Sequence, residues 1–174
     1  MCGIIGFSII DSPEQNLHAL KYGIKELSHR GPDNIGIWTN KDGSLGMAHS
    51  RLSIIDLSEN ANQPMADEHQ ELIIGFNGEI YNFIEIREKL IKLGYKFLTN
   101  SDTEVILQGY KAWNKNLFKK LRGMFAISIY DILKNEIILA RDHSGQKPLF
   151  YYYNQTNKSL IFTSELKGAF AFKI

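Results

Sequence analysis

The chain has 174 residues, 44% apolar and 22% charged, the size and balance of one compact domain with a buried core. Twenty basic against nineteen acidic residues leave a net charge of +1, and no run of like charge offers a track for a phosphate backbone, so nucleic acid is not an expected partner. One cysteine excludes an internal disulfide framework, and the absence of a signal segment, a myristoylation pattern or a membrane-length apolar run makes a cytoplasmic, membrane-free setting the expectation.

Residues 3–10, GIIGFSII, form an apolar run closed by Asp11-Ser12-Pro13, which predicts a buried strand ending in a turn. From Pro13 to about His29, Leu17, Leu20, Ile24 and Leu27 recur three and four apart, the period of a helix with one buried face. The segment His29-Arg30-Gly31-Pro32-Asp33 breaks it. Apolar stretches at 35–38, 45–55 and 72–76 follow, the last running into Asn77-Gly78, and residues 83–93 and 101–113 show helical spacing. Beyond Gly123 the chain turns strand-rich at 125–131, 136–142, 149–153 and 159–165. Several links between strands are too short for helical crossovers, which predicts an α+β fold of antiparallel sheets with helices segregated against them. One domain covers residues 1–174, and its apolar end at Phe170–Ile174 suggests either an imposed boundary or a partner domain that follows.

Cys2 is the first chemical candidate. Removal of Met1 places a thiol and a free α-amine on one residue; a thiol pKa of about 8.5 against an amine pKa of about 7.7–8.0 lets the amine take the thiol proton near neutrality. Position alone favours a small buried residue at a strand start, a preference that the rest of the sequence reverses. Asn77-Gly78 is a strong hairpin-turn signal, yet an Asn amide and a Gly N–H side by side are also two donors able to converge on the oxyanion of an amide-hydrolysis intermediate. Ser101-Asp102-Thr103-Glu104 fits a capping box, with Ser101 as cap, Glu104 reaching back, and Asp102 kept ionised by the helix N-terminus in the state that binds an ammonium group. Arg51 among apolar residues is costly to bury unless it meets a carboxylate, for which a small-molecule carboxylate would serve. The five histidines lack metal-site spacing, and no phosphate-loop or dinucleotide fingerprint is present, so neither metal nor nucleotide chemistry is expected within the chain.

Eight segments in order, MCGIIGF at 1–7, HRGPDNIG at 29–36, AHSRLSIIDL at 48–57, NGEIYN at 77–82, SDTEV at 101–105, LRGMFAISIYD at 121–131, ARDHSGQKPLFY at 140–151 and TSELKG at 163–168, resemble the glutaminase domain of class II glutamine amidotransferases, a group of N-terminal-nucleophile hydrolases. Within that group, RLSIIDL and NGEIYN resemble the asparagine synthetase branch. The resemblance implies a four-layer αββα sandwich of two antiparallel sheets. It implies that Cys2 is the nucleophile with its α-amine as base, that Arg51 holds the glutamine carboxylate, and that Asn77 and Gly78 form the oxyanion hole. Asp102, with Glu79 close by, would receive the substrate ammonium, with backbone contacts around Leu52 to Ile54, and residues 29–33 and 141–148 would be structural loops near the site. Maturation would need only removal of Met1.

The resemblance further implies hydrolysis of glutamine to glutamate and ammonia through a Cys2 thioester, with no cofactor in this domain. The ammonia would pass to an ATP- and Mg-using synthetase domain absent from this chain, with aspartate as the default acceptor, and a homodimer is left open. Two other readings stand beside it: an amidotransferase acting on sugar acids of surface polysaccharides, and a non-catalytic glutamine-binding domain of the same fold.

Overall fold

The computed structural model describes residues 1–9 and 12–172. Its strands are β1 (Gly3–Ser8), β2 (Asn34–Thr39), β3 (Leu45–Arg51), β4 (Met65–Ala66), β5 (Leu72–Ile80), β6 (Gly123–Asp131), β7 (Glu136–Arg141), β8 (Phe150–Tyr153) and β9 (Leu160–Thr163), and its helices are α1 (Pro13–Glu26), α2 (Phe83–Lys92), α3 (Asp102–Trp113) and α4 (Leu166–Ala169). The first sheet runs β2-β3-β1-β9-β8 and the second β4-β5-β6-β7, with antiparallel pairing throughout. The expected strand at 3–10 is thus Gly3–Ser8, while Ile10 and Asp11, and Lys173 and Ile174 at the other end, lie outside the described residues.

Three apolar clusters separate four layers. Ile5, Phe7, Ala48 and Ile161 of the first sheet pack against Ala19, Leu20, Ile24, Leu27, Ala169 and Phe172. Leu45, Met47 and Phe162 of the first sheet meet Ile73 and Tyr130 of the second. On the outer face of the second sheet, Ile74, Phe76, Ile127 and Ile129 pack against Ile86 and Leu90 of α2 and Val105, Ile106 and Tyr110 of α3. The order is therefore α1 with α4, first sheet, second sheet, then α2 with α3, the αββα sandwich expected. Side chains alternate across each strand, so a strand buried on both faces needs apolar residues at nearly every position, and the run GIIGF at 3–7 supplies them.

Most elements fall where the pattern puts them. Ser12 caps α1 through its hydroxyl to the Gln15 N–H (3.5 Å) with Pro13 in the first turn. The buried stripe of α1 is Asn16, Ala19, Leu20, Gly23 and Ile24, with Leu17 at its half-buried margin. The stretch 56–70 contains a turn of 3₁₀ helix at Glu59–Ala61 and the short β4. The larger departure is Asn77-Gly78: both lie inside the continuous strand β5, opposite Ala126 and Phe125 of β6, and not in a hairpin turn. Pairing with β6 extends through Ile80, and long-range pairing outweighs a two-residue turn preference.

The neighbouring strands of the first sheet leave no room at Gly6, where an added Cβ would stand 2.2 Å from a ring carbon of Phe162 on β9 and 2.9 Å from the Gly46 carbonyl oxygen on β3. Gly6→Ala should therefore lower unfolding free energy by about 2–3 kcal/mol through overpacking. Urea denaturation measures this; an unchanged midpoint would mean that the Phe162 ring does not pack closely over Gly6.

Candidate active site

The register Gly3–Ser50 between β1 and β3 sets Cys2 beside the end of β3, where Arg51 closes the strand and Leu52 leaves the sheet. The Cys2 sulfur accepts the Leu52 N–H at 3.4 Å and lies 3.7 Å from the Leu52 carbonyl oxygen. Arg30 fixes the other side of the residue: its Nε donates to the Cys2 carbonyl (2.8 Å), and its Nη1 pairs with Glu165 (2.7 Å). Burial pushes the Cys2 thiol above its ordinary value, against the lowering influence of the Leu52 N–H, the N-terminal charge and Arg51. A thiol in that state is protonated at neutral pH and needs a nearby base before it can attack.

From the second sheet, β5 brings Asn77, Gly78 and Glu79 to the same cavity. Asn77 is 1% exposed, and neither its amide nitrogen nor its amide oxygen has a partner among the described residues. A buried amide left so costs about 1–3 kcal/mol, which marks it as a group kept for something it will bind. The edge of β5 explains Gly78. Its even-numbered residues point their N–H groups away from β6: Phe76 N–H goes to Gln63 Oε1 (2.6 Å) and Ile80 N–H to Asp102 Oδ2 (3.1 Å). Gly78 N–H lies between these two on the same edge, facing the cavity. A side chain is impossible there, since an added Cβ would come within 2.1 Å of the Met124 carbonyl oxygen.

Two buried charges flank the cavity. Arg51, 6% exposed, donates to the carbonyl of Ser58 (2.8 Å), the side-chain oxygen of Asn62 (2.7 Å) and the carbonyl of Asp56, all neutral acceptors. The Asp56 carboxylate instead accepts the N–H groups of Ser58 (2.8 Å) and Asn100 (2.7 Å). Among the described residues no carboxylate stands at ion-pair distance from Arg51. Asp102, also 6% exposed, opens α3; burial pushes its carboxyl up to about 6 against its bonds from Ile80 N–H and the helix-terminal N–H groups, with Glu79 adding to the rise. Desolvation thus outweighs the helix terminus that was expected to hold Asp102 fully ionised.

The capping box also differs from expectation. Ser101 caps α3 by accepting the Glu104 N–H (3.2 Å), but the Glu104 carboxylate passes Ser101 and takes the N–H groups of Leu98 (2.8 Å) and Thr99 (2.7 Å). Ser101 N–H goes to the Thr99 hydroxyl (3.2 Å), which leaves Glu104 to tie down the loop entering the helix.

All eight sequence-selected residues, Cys2, Arg51, Leu52, Ile54, Asn77, Gly78, Glu79 and Asp102, line this one cavity. Gln63 and Lys147 line it too and had no signal of their own. Gln63 spans the space between the two Phe76 and Thr103 partners (2.6 and 3.1 Å), and the buried Lys147 ammonium reaches the Met1 sulfur (3.0 Å). Loops 29–33 and 141–148 do stand near the site. Asp142 accepts the N–H groups of Phe125, Ser144, Gln146 and Lys147 and so shapes the loop that delivers Lys147. No histidine lines the cavity, and no group of three His, Cys, Asp or Glu side chains among the described residues is arranged to hold a metal ion.

A four-layer sandwich that carries a cysteine at the head of a central strand, beside an unpaired buried amide, has the layout of an N-terminal-nucleophile hydrolase. In agreement, the structure superposes with a TM-score of 0.81 over 99% of this chain on glutamine phosphoribosylpyrophosphate amidotransferase of B. subtilis, covering 44% of that chain at 22% identity, a likeness of fold. A family model described as glutamine amidotransferase domain matches residues 1–173, and the chain belongs to that family. It is 43% identical over 97% of its length to asparagine synthetase [glutamine-hydrolyzing] 1 of Bacillus subtilis, and 39% identical over 99% to a putative asparagine synthetase [glutamine-hydrolyzing] 2 of Methanocaldococcus jannaschii. It spans 26% and 36% of the length of those two relatives.

The raised Asp102 pKa has a measurable consequence. The group is charged in the folded state only above about pH 6, whereas in the unfolded chain it ionises near the usual carboxylate value of about 3.9, so its burial penalises folding increasingly from about pH 4 to 6 and fully above that. Asp102→Asn, which keeps an acceptor for Ile80 N–H, should raise the melting temperature of the unliganded protein at pH 7.5 and leave it unchanged below pH 4. Equal melting temperatures across that range would show that Asp102 is not desolvated.

Proposed function

We propose that this chain hydrolyses glutamine with Cys2 as nucleophile and serves as the glutaminase domain of an asparagine-synthetase-like amidotransferase. The observation that carries the reading is the Asn77 amide, buried with no partner in the cavity that also holds the Cys2 thiol. Arg51 and Asp102 add the recognition of an amino acid. A guanidinium with only neutral partners suits the α-carboxylate, and a carboxylate with only N–H partners suits the α-ammonium, with Glu79 close by and backbone contacts along Leu52 to Ile54. An ammonium beside Asp102 would also draw its pKa down and hold it ionised.

The chemistry follows from the geometry. Removal of Met1 exposes the Cys2 α-amine, which takes the thiol proton; the absence of a histidine from the cavity lining leaves the amine as the natural base. The thiolate adds to the side-chain carbonyl carbon of glutamine, and the resulting oxyanion is met by Asn77 Nδ2–H and Gly78 N–H. The tetrahedral species collapses with breakage of the C–N bond, and the amine returns its proton to the departing nitrogen, releasing ammonia. Water then adds to the γ-glutamyl thioester, the C–S bond breaks, and glutamate leaves with the thiol restored. None of these steps calls on a cofactor.

The fate of the ammonia belongs to the longer protein. On the likeness to asparagine synthetases, a synthetase domain using ATP and Mg would activate a carboxylate, aspartate in the first instance, and accept the ammonia. A cytoplasmic setting goes with this reading, and no described helix is long and apolar enough to cross a membrane.

Cys2→Ala should abolish release of glutamate from glutamine while calorimetric glutamine binding persists; undiminished turnover would remove Cys2 as nucleophile. Blocking the α-amine, by retaining Met1 or adding an N-terminal tag, should collapse hydrolysis although the thiol remains. Full activity of a tagged protein would point to another base.

A further inference from the structure

His49 lies on β3 with its side chain on the face turned towards the second sheet, and it is 0% exposed. Its Nε2 stands 2.9 Å from the Phe76 carbonyl oxygen. A carbonyl oxygen only accepts, so Nε2 carries the proton. Burial pushes the ring's pKa down to about 4, and it is neutral at physiological pH. Nδ1 is then a bare acceptor, buried and without a protein partner. Leu45 and Met47 on the same face of β3 show that an aliphatic side chain suits this interface; one at position 49 would avoid the stranded Nδ1 but would leave the Phe76 carbonyl without its donor. The imidazole is therefore present for what its Nε2–H holds.

What it holds is the peptide that leads into Asn77. Along the free edge of β5 the groups come in order: Phe76 N–H bound by Gln63, Phe76 C=O bound by His49, Gly78 N–H, and Ile80 N–H bound by Asp102. His49 thus clamps the carbonyl between the two proposed oxyanion donors and the Gln63 anchor. Asn77 has no side-chain bond of its own to fix its amide, so its aim depends on the backbone from which it projects. Donors stabilise a developing oxyanion only when they are already in place, and a small tilt of the supporting peptide moves both together.

We propose that His49 is a positioning residue for the oxyanion hole: through the Phe76 carbonyl it sets the orientation of the Asn77 amide and the Gly78 N–H. The inference rests on the function proposed above and adds a residue outside the cavity lining. Because the hole is filled in the tetrahedral species, loss of the clamp weakens catalysis and not glutamine binding.

The test compares His49→Leu, which has no donor, with two amides that differ only in reach. Gln at this position can bring an N–H near the place of Nε2, whereas Asn is one carbon shorter and falls short of the Phe76 oxygen. Three quantities are measured on the processed protein: kcat and KM for glutamine, the affinity for glutamate, and the affinity for the aldehyde analogue of glutamine. The aldehyde carbon bonds to the Cys2 sulfur and its oxygen enters the hole, the thiol proton passing to that oxygen. Expected are a fall in kcat of about 10-fold or more in His49→Leu and His49→Asn with KM nearly unchanged, and a matching fall in aldehyde affinity. Glutamate affinity should be unaltered, and His49→Gln should recover most of both losses.

Equal behaviour of the Gln and Asn variants would overturn the proposal, even were the Leu variant unfolded. So would parallel losses of glutamate and aldehyde affinity, the mark of a merely structural role. Wild-type protein unable to hydrolyse glutamine would remove the functional reading and this inference together, whereas an active wild type with indifferent His49 variants removes the inference alone.

Discussion

The site depends on where the chain begins. β1 is the central strand of the first sheet, hydrogen-bonded to β3 on one side and β9 on the other, so the residue before it is held at the mouth of the inter-sheet space by pairing on both flanks. An N-terminus is ordinarily the most mobile part of a domain unless it is tied into a sheet. Here the ladder, the Arg30 bond to the Cys2 carbonyl and the Leu52 N–H on the sulfur fix a terminal residue as firmly as an interior one. That fixity suits the role proposed for Cys2, in which the α-amine and the thiol of a single residue serve as base and nucleophile.

The second constraint is electrostatic. Arg51 and Asp102 are opposite charges buried in one cavity, yet each is satisfied by backbone and amide groups instead of by the other. Burying charges so costs several kcal/mol per ion, and a zwitterion that meets both offsets the cost at once. The same logic covers the amide of Asn77, which is held out of water without a partner among the described residues. On the proposed function, the free protein carries the desolvation and the glutamine zwitterion relieves it. Analogues missing either charged end would leave one of these groups exposed to the original penalty, so discrimination follows from the architecture.

Much of this was legible in the sequence because it is local or periodic. The isoleucine-rich run at 3–10, the helical spacing at 13–29 and 101–113 and the strand-rich second half all translate directly into elements, since burial and period fix them. The eight candidate site residues were reached by residue chemistry and by resemblance together, and the cavity collects all of them. What failed to show was whatever depends on a distant partner. Asn77-Gly78 carries the composition of a turn, and only pairing with β6 makes it strand. Glu104 has the spacing of a capping box, but Thr99 and Leu98 offer it better-placed N–H groups. The roles of Gln63 and His49 do not show in the sequence, because they lie across 13 and 27 residues of chain, on Phe76. A histidine amid the apolar alternation of β3 was the one available hint.

The most direct test of the central claim is the intact mass of untagged protein before and after incubation with a diazo-ketone analogue of glutamine. Such a reagent reacts with a thiolate held beside a glutamine-shaped pocket. The account predicts a chain lacking Met1 that gains a single adduct, mapped to Cys2 and prevented by excess glutamine. A processed chain that stays unlabelled, or labels elsewhere with glutamine giving no protection, would contradict it.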